Sequence, residues 1–221
     1  MKYLLNCICQ RDVVDPPQDP GIHVVTGHGL AAIVSQVEES TRGPGISSLL
    51  AFEKVVEAIA ARQAVVPMRY GCLMESEEQV VQLLEDHRQE YEALLIRLRG
   101  MTEMGIRLLW PASVPPLLSH PKSRGAAYLA SLRNRYQQAT PAEQEILLAD
   151  RIVAALARWF AEQRREMSSS HQGRLLSLSF LMQKVHVDEF REAVRNVSTP
   201  PGVKLLMSGP WPPYNFVAPA D

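Results

Sequence analysis

An excess of charge of either sign is what this sequence most plainly lacks. Its 221 residues hold 23 Lys+Arg against 24 Asp+Glu, for a formal net charge of -1. A protein that binds nucleic acid by neutralising phosphates carries a basic excess, as does a polybasic membrane surface, so both classes are disfavoured. Aromatics are scarce at 6%. Cysteines number 3, an odd count that cannot pair fully within one chain and suits a reducing compartment. A cytoplasmic location is therefore expected. Long hydrophobic runs are missing too: IVAALARWFA at 152–161 contains an arginine and falls short of the roughly 18 to 20 residues a membrane span needs. The opening MKYLLNCICQRD has no small-residue cleavage site before Arg11 and reads as a strand, not a signal peptide. What is present is 46% hydrophobic and 21% charged residues, the mixture of a chain that buries a core.

Periodicity predicts mixed α and β structure. Residues 2–9 read as a strand, followed by a proline-rich loop, and IHVVTGHGLAAIVSQV as a hairpin turning at Gly27-His28-Gly29. A helix over 48–63 places Leu49, Phe52, Val56 and Ile59 on one face. AVVPM is extended, and Ser76-Glu77-Glu78-Gln79 is a capping box that opens one long helix over 77–99. That helix shows a stripe of Val80, Leu84, His87, Tyr91, Leu94 and Leu98. A strand at 105–111 runs into Pro111, Pro115, Pro116 and Pro121, which can continue neither helix nor sheet. Helices over 123–138 and 141–166, a strand over 174–185, a helix over 188–197 and a last strand VKLLMS complete the chain.

Each half ends strand, helix, strand, with a connection long enough for a crossover. The expected fold class is α+β in two domains, each a small mixed sheet packed by helices with ferredoxin-like elements, the second more helical. The expected domains are 1–111, a proline-rich linker 112–122, and 123–221 including the terminal GPWPPY phrase. Divided at that proline segment, residues 1–110 hold 10 Lys+Arg and 15 Asp+Glu, and residues 111–221 hold 13 and 9. A near-neutral total thus conceals an acidic half and a basic half.

Motifs for chemistry are sparse. Gly27-His28-Gly29-Leu30-Ala31-Ala32 matches G-x-G-x-x-A, but β-branched Ile33 and Val34 follow where a dinucleotide site needs a helix, so a hairpin is the better reading. Cys7 and Cys9 face one side of a strand without a second ligand pair, which makes them buried small hydrophobes. The six histidines are scattered, and His87 reads as a packed or rim residue. No nucleophile elbow or phosphate-binding loop occurs. No catalytic, cofactor-binding or metal-binding residue is assigned, and no cofactor is expected. Two segments stand out: Pro67-Met68-Arg69-Tyr70-Gly71, and the terminal Gly209-Pro210-Trp211-Pro212-Pro213-Tyr214-Asn215-Phe216-Val217, a stiff ribbon with three prolines and three aromatics. Arg69, Tyr70, Trp211 and Tyr214 are the candidate site residues, either as protein contacts or as residues that lock the fold. The ribbon is expected to fold back over its own domain as a clasp in preference to being offered to a partner.

The ending GPWPPYNFV, the inner VVPMRYG followed by SEEQVVQLL, the hairpin TGHGLAAIVS, the helix LLAFEKVVEAI and the phrase RGAAYLASLR together resemble the gas vesicle protein F/L family. The resemblance covers almost the whole chain, and GPWPPY is its most specific element. Family members often carry Phe-Gly where this chain has Tyr70-Gly71. The resemblance implies a two-domain α+β fold and a non-enzymatic part in gas vesicle formation, as a minor component or assembly factor. It further implies contacts with the shell protein GvpA and with other accessory gas vesicle proteins, in the cytoplasm and associated with the vesicle. The competing reading is a ferredoxin-like ligand- or RNA-binding regulatory module, which the charge balance disfavours.

Overall fold

The computed structural model describes residues 2–11, 21–37, 45–111, 143–170 and 173–217. The expected linker at 112–122, the helix at 123–138 and the start of the next helix lie outside the described residues. The chain divides into two compact units. One comprises Met1–Glu103 with Pro210–Asp221, the other Met104–Gly209. The fold class is α+β, with two sheets and helices packed on them.

In the first unit β1 (Lys2–Gln10), β2 (Ile22–Gly27), β3 (Leu30–Val37), β4 (Val66–Pro67) and β5 (Leu73–Met74) form one sheet in the order β2-β3-β1-β4, with β5 also on β1. Every pairing in it is antiparallel. β2 and β3 form the expected hairpin, with Gly27 opposite Leu30. His28 (φ 55°) and Gly29 (φ 84°) take up the two left-handed positions that a type I′ turn demands. That backbone leaves no helix N-terminus for a pyrophosphate.

β1 and β3 read as near-continuous apolar runs because both faces of the sheet are covered. Leu5, Ile8, Leu30, Ala32 and Val34 pack with Val80, Leu84, Tyr91 and Leu95. Leu4, Cys7, Cys9, Ala31 and Ile33 pack with Phe52, Val55, Val56 and Ile59. Helix α1 (Ile46–Ala60) therefore covers one face, and α2 (Glu77–Asp86) with α3 (Arg88–Arg97) the other. Leu49, expected on the buried face of α1, is 39% exposed, and Val55 takes its place.

The single helix expected over 77–99 is broken at His87 (φ -109°, ψ 17°). Its exposed imidazole lies 3.1 Å from Glu90 and 5.7 Å, between ring centroids, from Tyr91, at the rim of the stripe. In the second helix Leu95 is fully buried beyond Tyr91, and Leu94 only partly. At the start of α2 the capping box forms: the Gln79 amide donates to Ser76 Oγ at 3.4 Å. The Gln79 side chain reaches one residue further back than expected, accepting from the Glu75 amide at 2.9 Å.

In the second sheet the order is β7-β8-β6-β9, built from β6 (Met101–Pro111), β7 (Glu162–Ser170), β8 (Gly173–Gln183) and β9 (Lys204–Trp211). α4 (Glu143–Leu156) lies between β6 and β7 in sequence, and α5 (Val187–Arg195) between β8 and β9. Each of these helix-bearing connections skips a strand, the split arrangement of a ferredoxin-like unit. Met104, Ile106, Leu108, Leu176, Leu178 and Phe180 pack with Leu148, Ile152, Leu156, Phe190 and Val194. Phe180 sits against both Phe160 (5.0 Å) and Phe190 (5.3 Å).

Two expectations fail here. The helix expected over 141–166 stops at Leu156, and residues 162–170 form β7. EQRREM favours helix locally, but β8 offers a nine-residue ladder from Glu162↔Leu181 to Ser170↔Gly173, and Arg165 reaches Asp150 at 2.6 Å. Tertiary pairing overrides propensity. The strand-helix-strand unit expected in the first half does not form within one sheet, since β4 belongs to the first sheet and β6 to the second.

Burial raises the Cys7 thiol well above its ordinary range and the Cys9 thiol from 9.0 to about 12, while Tyr91 rises from 10.0 to about 12, chiefly through burial with Glu90 adding to it. A folded state that holds these protons when the unfolded chain releases them loses stability as pH rises. Urea unfolding midpoints of the protein are expected to be flat from pH 7 to 8.5 and to fall steadily between pH 9 and 12. A Cys9→Ala variant should show a shallower fall.

Candidate functional site

The segment Pro67–Gly71 occupies the outer edge of β1. Val66 and Pro67 pair with Ile8 and Cys7, and Leu73 and Met74 pair with Leu4 and Tyr3. Between them the chain swings out into a turn. The Cys72 amide donates to the Arg69 carbonyl at 3.3 Å, and Gly71 has φ 96°, the left-handed third position of a type II turn. The opposing stretch of β1 shifts register between Leu5 and Cys7, leaving Asn6 as the extra residue of a bulge. Asn6 holds the turn at its base, where its carbonyl accepts from the Met68 amide at 2.9 Å, and the Leu5 amide donates to the Cys72 carbonyl at 2.9 Å. Arg69 is exposed at the tip. Tyr70 is half-buried and meets Phe52 of α1 edge-on, 5.3 Å between centroids at 87°.

The terminal ribbon returns to this same unit. The second domain was its expected home, and the structure corrects that. It finds its partners among residues 97–103 and on α1. Thr102 Oγ1 donates to the Trp211 carbonyl at 2.9 Å. Pro212 and Pro213 are buried. The Asn215 amide donates to Glu103 Oε2 at 3.0 Å and Asn215 Nδ2 to Glu103 Oε1 at 2.5 Å. Phe216 is fully buried in a 3-10 turn, Tyr214–Phe216, and its carbonyl accepts from Arg97. Tyr214 packs on the cluster around Phe52 and Val56, and Val217 on the opposite cluster around Leu5 and Leu84. The ribbon is a clasp, bent by a turn at its end.

Tyr70 and Tyr214 are thus brought onto one cluster, whereas Arg69 stands at an exposed turn and Trp211 remains 40% exposed. The Tyr214 hydroxyl is buried with no hydrogen-bond partner, and desolvation, then the nearby Glu53 carboxylate, raises its pKa far above the ordinary phenol value. Thr102 and Glu103, 4% and 5% exposed, are the residues that sequence reasoning missed. Their signal was available: two polar side chains lead directly into the apolar strand GIRLLW, where only a partner justifies burial. Among the described residues no group of three His, Cys, Asp or Glu side chains is arranged to hold a metal ion. His23 lies 3.2 Å from Glu77 and His28 3.6 Å from Glu85, both pairs linking the hairpin to α2.

Residues 5–218 match the family model described as gas vesicle synthesis protein GvpL/GvpF. The chain belongs to this family. It is 26% identical over 220 residues to gas vesicle protein F of a Streptomyces species, covering 92% of this chain and 90% of the relative. It is 24% identical over 184 residues to gas vesicle protein L of the same Streptomyces, covering 77% and 69%. Two crystal structures share its fold. GvpF from Anabaena matches at a TM-score of 0.72 with 14% identity, over 100% of this chain and 99% of that one. GvpF from Microcystis aeruginosa matches at 0.70 with 15% identity, over 98% and 99%. The family model runs through both VVPMRYG and GPWPPYNFV.

Two substitutions separate the clasp's polar groups. Asn215→Ala leaves the buried Glu103 carboxylate with the backbone amide alone and should cost about 1 to 3 kcal/mol in chemical denaturation. Tyr214→Phe removes a buried hydroxyl that has no partner, and stability should hold or rise by up to about 1 kcal/mol.

Proposed function

We propose that this chain is a non-enzymatic accessory protein of gas vesicle formation, a minor component or assembly factor that binds the shell protein GvpA and other accessory gas vesicle proteins in the cytoplasm. The observation that supports the reading most directly is the family match over residues 5–218, through both units. The relatives are named gas vesicle proteins F and L, and the similar folds are those of two GvpF proteins.

A subunit whose surface faces gas is strongly apolar and aggregates unless it is covered before assembly. An accessory protein prevents that by holding the apolar surface against its own until neighbours replace it. The four candidate residues differ in exposure. Tyr70 and Tyr214 are engaged by the α1 cluster and act on the fold, while Arg69 and Trp211 present side chains to solvent and are the ones a partner can reach.

Deletion of the gene in a vesicle-forming host, scored by flotation and electron microscopy, tests the assembly role: loss or malformation of vesicles is expected, and normal vesicles without a redundant paralogue refute it. Arg69→Ala and Trp211→Ala address the contact. Arg69→Ala is expected to keep stability within about 0.5 kcal/mol. Both folded variants should lose co-precipitation with purified shell protein, and undiminished binding would remove these two residues from the interface.

A further inference from the structure

The outer ridge of α1 opens with an apolar turn that the fold leaves exposed. Phe52, Val55, Val56 and Ile59 supply the buried face. On the other side Ile46 is 79% exposed, Leu50 50% and Leu49 39%. Glu53 is half-buried and Glu57 exposed. At about 100° per residue, Ile46, Leu49, Leu50, Glu53 and Glu57 fall within one arc of about 100°. The ridge therefore reads apolar over its first turns and acidic over the next two. Single exposed aliphatic residues are ordinary, but three adjoining ones at the end of an acidic ridge form a patch with a defined polarity.

Charge says what fits there. Among the described residues neither Glu53 nor Glu57 forms an ion pair, and the unit that carries them holds 9 Lys+Arg against 16 Asp+Glu. A basic occupant complements them, on the side of the ridge away from exposed Lys54. An exposed apolar turn on a helix is well covered by a second helix, whose side chains pack into the grooves beside it.

We propose that the outer ridge of α1 docks an amphipathic partner helix, whose apolar stripe covers Ile46, Leu49 and Leu50 and whose Lys or Arg side chains, one to two turns along, meet Glu53 and Glu57. The pairing is an apolar anchor with charge-set register. It deepens the proposed assembly role by naming a surface and a class of partner, and its test does not depend on vesicles.

The test uses the full-length protein and three synthetic helical peptides that share one leucine stripe and carry lysine, glutamine or glutamate at the flanking positions, followed by fluorescence anisotropy. The lysine peptide should bind, the glutamine peptide about tenfold more weakly, and the glutamate peptide least. Leu50→Asp should weaken the lysine peptide about tenfold or more, and so should Ile46→Ser, a second exposed position. The double variant Glu53→Lys/Glu57→Lys should reverse the order, so that the glutamate peptide binds best. Binding of the lysine peptide that survives both apolar substitutions reflects general attraction to acidic surface such as α2, and overturns the proposal. So does an order of preference that the charge reversal leaves unchanged. Defective vesicles on gene deletion together with either of those results would retain the assembly role and discard this ridge.

Discussion

The buried carboxylate of Glu103 is the point on which the first unit closes. At 5% exposure it has left water, and it is held by neutral donors, the amide and side-chain Nδ2 of Asn215. A buried carboxylate without those donors would be strongly unfavourable, so the last residues of the chain are required where the first hundred end. The flanking contacts follow from this: Thr102 on the Trp211 carbonyl, Arg97 on the Phe216 carbonyl, Phe216 buried, Tyr214 on the α1 cluster. The unit is therefore discontinuous in sequence, with Gly209, at φ 106°, the last residue before the clasp.

That closure changes how the charge is distributed. Divided at the proline segment, the halves differ modestly, but the compact units separate further, with 9 Lys+Arg and 16 Asp+Glu in Met1–Glu103 plus Pro210–Asp221, and 14 and 8 in Met104–Gly209. Much of the acidity lies on α2, α3 and the outer side of α1, since the sheet faces of these helices are consumed by the core. Complementary potentials of this kind steer association and set orientation more than they set affinity.

The two phrases that stood out in the sequence have different physical standing. GPWPPYNFV is largely absorbed by packing, and its prolines suit a segment that must leave β9 and cannot continue a ladder. VVPMRYG is a bulged edge: Pro67 and the turn prevent a neighbouring strand from adding there, and Gly71 supplies the left-handed position. The aromatic at position 70 is needed for its contact with Phe52, which a Phe would also make.

Local pattern by itself determined the α+β class, the hairpin with its glycine turn, the capping box at Ser76, the helix over α5 and the two conspicuous phrases, because each rests on interactions within a few residues. The family resemblance was legible for the same reason, in short phrases that survive in order. Only the tertiary structure decided that 162–166 is strand, that the long helix breaks at His87, that Leu49 faces outward, and that the terminal ribbon belongs to the first unit. In each case the deciding partner is distant in the chain: β8 for β7, the sheet for α3, and Glu103 for Asn215 across 112 residues. Local preference is worth tenths of a kcal/mol per residue, roughly, and a ladder or a buried ionic hydrogen bond outweighs it.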